Sequence, residues 1–421
     1  MPANKTILAT ADALAGKGKT AWGNLLGAAR ALAIAEGALL HPGLSLVITT
    51  DTAMADQLER ELRFFAPHLP VLSFPDWETL PYDRFSPHQD IISQRLKTLH
   101  QLPSVTQGIL VVPMTTLLHR IAPRSFLGGS VLMLEVGQQL DMEQMRLDLD
   151  ASGYRCVDTV YEHGDYAVRG ALLDLYPMGS RLPLRIDLFD DEIETLRTFD
   201  PETQRSIDKV EHVHLLPAKE FLPDNTLLFS LPGIEGSAEH FWTDVRNRYQ
   251  EQSVDKTRPL LTPAELFLSV EDCFALIKRF PRILCHQDPI GPAAGNIHFS
   301  CQAPPELPID NRLDQPLAAL QTFASSFEGR ILYVVESAGR REAMLDLLAR
   351  IDVKPDTVES WPDFLAGKAA HSIMVAAVDQ GMLCGSPAIA LVAENQLFGQ
   401  RVMQRRRRGK ATDLGDAVIR N

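Results

Sequence analysis

Cysteine is scarce and scattered in this chain. Its 421 residues include five cysteines, at positions 156, 273, 285, 301 and 384, and no two of them have CxxC spacing. Disulfide frameworks and zinc sites both need cysteines in paired or clustered positions. We therefore expect buried free thiols, with neither a disulfide framework nor a metal site.

Long apolar runs are missing as well. No stretch reaches the length of about 18 apolar residues that a membrane-spanning helix needs. The chain also does not open with the charged, apolar and small-residue segments of a secretory signal. We expect a cytoplasmic protein that makes no contact with a membrane.

Positive charge is in deficit. Lys and Arg number 41 against 54 Asp and Glu, which gives a formal net charge of -13. A broad nucleic-acid surface needs clustered Lys and Arg, so this balance favours a protein partner. The one basic run, RRRRGK at 405–410, predicts a solvated basic linker or tail over residues 401–421.

Helix and strand patterns alternate in the first part of the chain. Residues 44–50 and 108–112 are apolar and β-rich, and residues 52–65 repeat apolar positions at helical spacing. Such alternation predicts an α/β fold with a parallel sheet, the layout of helicase-type nucleotide folds. Because the pattern resumes after Pro217, we expect residues 1–127 and 217–320 to form one such domain.

A phosphate-loop-like segment, ALAGKGKT, occupies residues 13–20. A true loop follows GxxxxGK[ST], in which backbone N–H groups wrap the phosphates and Lys and a hydroxyl complete the site. Gly18, Lys19 and Thr20 comply, but Ala13 replaces the first glycine, and no predicted strand ends in the acidic pair that would hold magnesium. We expect a degenerate P-loop-like domain with no bound cofactor and no catalytic residues.

Short strands with tight turns dominate the middle of the chain. In residues 184–189 aliphatic side chains alternate with Arg185, Asp187 and Phe189, so these three share the face opposite the core. An aromatic ring beside a guanidinium is typical of interface centres. Arg169 can join them if Gly170 forms a bulge that re-aims its neighbour. We predict an inserted small α+β domain over residues 128–216 with Arg169, Arg185 and Phe189 as partner-binding residues.

A fresh strand–helix pattern starts near residue 327. An apolar strand at 330–335 precedes an amphipathic helix at 339–351, and further strands are predicted at 372–377 and 388–392. These elements predict a separate small α/β domain over residues 327–400.

Several segments carry a family resemblance. In the middle these are VRG at 168–170, LDLYP at 173–177, RID at 185–187 and FDDEI at 189–193; outside it are PDWETLPYDRFSPH at 75–88, VES at 335–337 and GRREA at 339–343. The middle segments resemble UvrB, the damage-recognition component of the bacterial excinuclease. They resemble more closely the module of the transcription-repair coupling factor family that copies it.

The resemblance implies a function in DNA repair. In that family the module docks the excinuclease component UvrA and so recruits nucleotide excision repair to transcription-coupled repair, while the first domain has the helicase shape without its ATPase machinery. The resemblance covers essentially all of this chain but only the front part of full-length members. We therefore expect a non-enzymatic fragment without a small-molecule substrate, since the ATP-dependent DNA translocase domains, and the contacts to RNA polymerase and DNA, would lie elsewhere.

One departure and two alternatives stay open. Relatives carry a longer segment between the equivalents of Phe221 and Leu222, so contacts made by that segment are in doubt. An ATP-dependent DNA helicase or translocase fragment would need the missing glycine and acidic pair. A direct damaged-DNA-binding module would need an aromatic, glycine-flanked hairpin, which we do not find in the sequence.

Overall fold

The computed structural model describes residues 7, 8, 10, 14, 19–83, 87–121, 133–151, 154–177, 182–210, 212–214, 222, 223, 225–254, 260–309, 314–385 and 388–398. Within these ranges the strands form three sheets of six or seven strands and one separate pair. Gly18, the 178–180 turn and the basic run at 405–410 lie outside the described residues.

The first part of the chain alternates strands and helices. Its strands are β1 (Lys19–Gly23), β2 (Leu44–Thr49), β3 (Val71–Ser73) and β4 (Gly108–Pro113); its helices are α1 (Ala29–Leu40), α2 (Thr52–Phe65), α3 (Gln89–Gln101) and α4 (Met114–Leu117), with a 3-10 turn at Leu102–Ser104. Helix α2 begins where the Asp51 carboxylate accepts a hydrogen bond from the Met54 N–H at 2.9 Å. Every residue of β2 and β4 is buried, as parallel strands covered on both faces require.

The middle of the chain is richer in strands. It contains β5 (Met133–Glu135), α5 (Met142–Ala151), β6 (Arg155–Cys156), β7 (Asp165–Arg169), β8 (Leu172–Leu175), β9 (Leu184–Phe189), β10 (Glu192–Phe199), β11 (Ser206–Val210) and β12 (His212–His214). The sheet order is β11-β10-β9-β8-β7-β6, and β5 pairs with β12 separately. Helix α5 covers one face, where Met145 and Leu149 share a core cluster with Ile186, Leu188 and Leu196.

The next stretch returns to the first sheet. It comprises β13 (Leu227–Ser230), α6 (Ile234–Gln252), α7 (Pro263–Leu266), α8 (Val270–Ile277), β14 (Arg282–Cys285) and β15 (Asn296–His298). The resulting seven-stranded sheet has the order β15-β1-β14-β13-β2-β4-β3, and its paired strands are parallel. The prediction of an α/β fold with a parallel-sheet domain interrupted by a small domain is confirmed.

The last described part builds a mixed sheet. Its elements are β16 (Cys301–Gln302), α9 (Ala318–Ser326), β17 (Arg330–Val335), α10 (Ala338–Ala349), β18 (Asp356–Thr357), α11 (Trp361–Ala366), β19 (His371–Val375), β20 (Met382–Gly385), β21 (Ala388–Ala393) and α12 (Asn395–Phe398). The order is β16-β20-β21-β17-β19-β18. This part packs on the first sheet's helices, because the Trp361 ring lies edge-on to Phe65 at 5.1 Å and Arg60 bonds Asp379 at 3.1 Å.

Residues 263–277 form two helices, α7 and α8, because the Ser269 hydroxyl caps a new helix by accepting a hydrogen bond from the Asp272 N–H at 3.0 Å. One expectation about local structure is wrong. Gly170 is not a strand bulge. It forms a hairpin turn with Ala171 between β7 and β8, where it takes a φ of 64° that other residues rarely adopt.

Candidate protein-interaction site

The phosphate-loop-like residues lie in a strand. Lys19 and Thr20 begin β1 and pair with Arg282 and Ile283 of β14. In a true phosphate loop these residues would instead begin a helix whose N–H groups face the phosphates. The strand position favours a chance match to the motif over a decayed phosphate loop.

Backbone atoms from later in the chain fill the turn between β1 and α1. The Ala28 N–H, next to the start of α1, donates to the Gly381 carbonyl at 3.2 Å. Gly27 has a φ of 59°, and a Cβ there would lie 2.0 Å from the same carbonyl oxygen. The Asn24 amide donates to the Phe299 and Cys301 carbonyls at 2.8 Å each. The place where a strand–helix turn usually holds phosphate is therefore occupied by backbone from the last sheet.

Buried side-chain contacts stabilise the aromatic and proline-rich loop after β3. The Arg95 guanidinium lies between the rings of Phe74 and Trp77, at 4.1 and 3.8 Å from their centroids. Asp76 accepts hydrogen bonds from the hydroxyls of Thr115 and Thr116 at 2.7 and 3.2 Å. These contacts hold the described part of this segment as a packed loop.

Phe189 is the most exposed large apolar residue among the described residues of the middle sheet. Its side chain is 71% exposed at the end of β9, whereas Leu184, Ile186 and Leu188 on the same strand are buried. The alternation expected from the sequence is therefore present along β9. A ring this exposed, at the end of an inner strand whose aliphatic side chains are buried, is accessible on the surface.

The face of the sheet that carries Phe189 is partly covered. At the end away from Phe189, a second small core cluster is formed by Val160, Ala167, Tyr176 and Phe199. We call the end that carries the exposed Phe189 the open end. Backbone pairing keeps the open end compact, because the Leu188 N–H donates to the Ala171 carbonyl at 2.9 Å. This bond places the β7–β8 turn beside the end of β9.

Arg169 lies at that turn. Its side chain is exposed, and one Nη donates to the Asp158 carbonyl at 2.6 Å and lies 3.5 Å from the Thr159 hydroxyl. These contacts tether the side chain and keep it on the surface near the open end of the sheet. The β7–β8 turn, and not a bulge at Gly170, therefore brings Arg169 to the same end of the sheet as Phe189.

Arg185 is placed differently from the sequence expectation. Its guanidinium bonds Asp174 through Nε at 2.7 Å and Nη2 at 2.9 Å, donates to the Gln204 carbonyl at 3.2 Å and covers the Phe199 ring at 4.6 Å. The side chain is only 17% exposed, and the hydrogen bonds to Asp174 raise the pKa of Arg185. Arg185 therefore braces the sheet between the small core cluster and the open end.

Sequence reasoning missed the partner of Arg185. Asp174 is 1% exposed and lies directly opposite Arg185 in the β8–β9 register. A single acidic residue between the apolar Leu173 and Leu175 was the available signal, since a buried carboxylate needs a cation nearby.

Other kinds of site find little support in the described ranges. There, no three His, Cys, Asp or Glu side chains are grouped so that they could hold a metal ion. No helix among these residues is long and apolar enough to cross a membrane.

Comparison with known families matches two parts of the chain. Residues 132–221 match the family described as the UvrB interaction domain, and residues 323–397 match the family described as the MFD, D3 domain. The middle sheet falls within the first match, and the strands of the last sheet other than β16 fall within the second. The chain is therefore of the class that carries a UvrB interaction domain.

Whole-chain relatives make the identification specific. The chain is 38% identical to the transcription-repair-coupling factor of Escherichia coli (strain K12) over 457 aligned residues, which covers 95% of this chain and 40% of the relative. It is 36% identical to the Haemophilus influenzae (strain ATCC 51907 / DSM 11121 / KW20 / Rd) protein of the same name over 458, with the same coverage, and 35% identical to that of Myxococcus xanthus over 209, or 47% and 17% of the two chains. The chain belongs to the transcription-repair-coupling factor family and spans about 40% of the length of the first two relatives.

These alignments also bear on the junction after Phe221. At 457 and 458 positions, they are longer than this chain of 421 residues. The two relatives therefore carry residues without a counterpart in this chain; a longer segment after Phe221 stays a prediction.

Proposed function

We propose that this chain recruits nucleotide excision repair by binding the excinuclease component UvrA through the open end of the middle sheet. The observation that carries the proposal is the exposure of the Phe189 ring at the open end of the sheet, the same end as Arg169. The match to the UvrB interaction domain and the membership of the transcription-repair-coupling factor family support a role in repair.

Each of the three residues has its own part in the proposed contact. Phe189 fills an apolar pocket on the partner, where a buried aromatic ring contributes strongly to affinity. Arg169 donates charge-assisted hydrogen bonds to acidic groups around that pocket. Arg185 holds β8 and β9 together through Asp174 and so keeps Phe189 at the open end of the sheet. The small exposed part of Arg185 adds to the contact.

The surface around Phe189 also predicts the partner's charge. Asp190, Asp191 and Glu192 are exposed in and beside the turn that follows Phe189. A complementary surface would therefore combine an apolar pocket with basic groups near this turn and acidic groups near Arg169.

We further propose that the chain does not hydrolyse ATP. The turn at the start of α1 is filled by the Gly381 carbonyl, and Ala28 and Ala29 follow Gly27 where a phosphate loop has Lys and Ser or Thr. DNA translocation, and contacts with RNA polymerase and DNA, are properties we assign to longer family members.

Titration of purified UvrA with the full chain tests the docking proposal. Phe189→Ala should weaken binding at least about 30-fold, a loss of about 2 kcal/mol, and Arg169→Ala should also weaken it. Leu147→Ala is a matched control, because Leu147 is an exposed apolar residue of α5, which packs on the opposite face. Undiminished affinity in both Phe189→Ala and Arg169→Ala would overturn the proposal.

A further inference from the structure

We infer that Cys301, Met382 and Cys384 form a binding site for a soft monovalent metal ion of the Cu(I) class. The three sulfur-bearing side chains meet between β16 and β20, where the last sheet joins the first. Their role as a site is independent of the docking surface.

The strand register brings the sulfur atoms together. Cys301 of β16 is directly opposite Cys384 of β20. Met382 is two residues before Cys384 and so lies on the same face of its strand. The Cys384 thiol donates a hydrogen bond to the Met382 Sδ, 3.7 Å away.

The cluster is shielded from water. Cys301 and Cys384 are each 4% exposed and Met382 is fully buried. They belong to the large core cluster that also contains Trp22 and Phe299. Buried sulfur donors this close together can coordinate one small ion.

The donor set selects the class of ion. Thiolate and thioether sulfurs are soft ligands that favour Cu(I), whereas calcium and magnesium require oxygen. A structural zinc site would need four ligands, and within the described ranges no third His, Cys, Asp or Glu completes such a set here. Three sulfurs suit a low-coordinate monovalent ion.

The surroundings favour a cation. The Glu36 carboxylate is buried, accepts hydrogen bonds from the N–H groups of Ile7 and Leu8 and from the Thr10 hydroxyl, and acts electrostatically on both thiols. Burial raises the pKa of Glu36 and these hydrogen bonds oppose that rise; in its charged form the carboxylate attracts a bound cation. Each thiol that coordinates releases its proton to solvent, and no electron is transferred.

We place the route of the ion at the edge of the last sheet. Strand β16 has two residues and lies at the end of the strand order, where β20 is its one pairing partner among the described strands. Short edge strands open locally at low cost, so the sulfurs become accessible without unfolding of the sheet.

Silver(I) is the probe, because it is a redox-inert soft monovalent ion. The experiment uses the full chain with Cys156→Ser, since Cys156 is the exposed cysteine and would bind silver by itself. Native mass spectrometry with a competing thiol should show one bound ion per chain. Cys301→Ser and Cys384→Ser should each abolish binding, Met382→Leu should weaken it at least about tenfold, and the remote control Cys273→Ser should retain it.

A second measurement does not depend on these variants folding. In the same background, bound silver should protect Cys301 and Cys384, but not Cys273, from alkylation under mildly denaturing conditions, as read by peptide mass spectrometry. Cu(I) delivered from a chelator should give an X-ray absorption spectrum with a sulfur-only shell. No bound ion, binding that survives the Cys301→Ser/Cys384→Ser double variant, or a Cys301–Cys384 disulfide formed instead would each overturn the inference.

Discussion

Arg185 and Asp174 form a two-bond ion pair across β8 and β9, with distances of 2.7 and 2.9 Å to the two carboxylate oxygens. The carboxylate is almost completely buried, so the pair is part of the interior of the middle sheet although Arg185 alternates onto the face of Phe189. Arg185, predicted from the sequence as a partner contact, therefore stabilises the face of the middle sheet that carries Phe189.

Loss of either member of this pair should destabilise the chain. Arg185→Ala and Asp174→Asn each leave a buried group without its partner, which typically costs about 3–5 kcal/mol. Urea denaturation of the full chain measures the loss. Arg185→Lys should recover only part of it, because an ammonium group cannot reproduce the two parallel bonds.

Arg169→Ala should weaken binding to UvrA without destabilising the fold. Its side chain is exposed and bonded to a carbonyl, so its removal should change the free energy of unfolding by about 0.5 kcal/mol or less while it weakens binding to UvrA. Equal losses of stability in Arg169→Ala and Arg185→Ala would contradict the distinct roles assigned to the two arginines.

The acidic turn should affect binding through charge. Asp191→Lys should slow association with UvrA and lower affinity about fivefold or more at low ionic strength, with a smaller effect in high salt. Stopped-flow association at two salt concentrations measures this. Asp148→Lys makes the same charge change on α5, away from the docking face, and should leave association unchanged. A salt-independent effect, or an equal effect of both variants, would contradict the predicted charge complementarity.

The sequence predicted features that depend on local periodicity. The bounds of α2 match the predicted 52–65, because a capping Asp and an apolar repeat are both local signals. The outward position of Phe189 follows from the two-residue period of β9. Local signals are therefore sufficient for the fold class and for the anchor of the proposed interface.

Features that depend on distant residues could not be predicted in this way. The environment of Arg185 depends on the register that sets it opposite Asp174, and the filling of the α1 turn depends on Gly381, which is far away in the chain. The motif around Gly18 was misleading for the same reason. Whether Lys19 begins a helix or a strand depends on its pairing with β14.

Gly27→Ala tests the filled turn. The left-handed φ of 59° costs alanine about 1–2 kcal/mol, and the new Cβ would lie 2.0 Å from the Gly381 carbonyl oxygen. We expect a loss of at least about 2 kcal/mol in the free energy of unfolding. Gly339→Ala is the matched control, because Gly339 is helical with open space around it and should gain up to about 1 kcal/mol. Equal effects of the two substitutions would show that the Gly381 contact does not restrict Gly27.

A buried carboxyl at the contact between α2 and the last sheet predicts a pH dependence. Burial raises the pKa of Glu61 to about 7 from 4.5, with smaller opposing contributions from Gln57 and Arg30 and a further rise from Asp379. The folded chain therefore holds a proton that the unfolded chain releases between about pH 4.5 and 7, so this group's contribution to stability falls as pH rises through that window. Glu61→Gln removes the titration and should melt higher than the unsubstituted chain at pH 8 but not at pH 5. A pH profile of Glu61→Gln that runs parallel to that of the unsubstituted chain would refute the assignment.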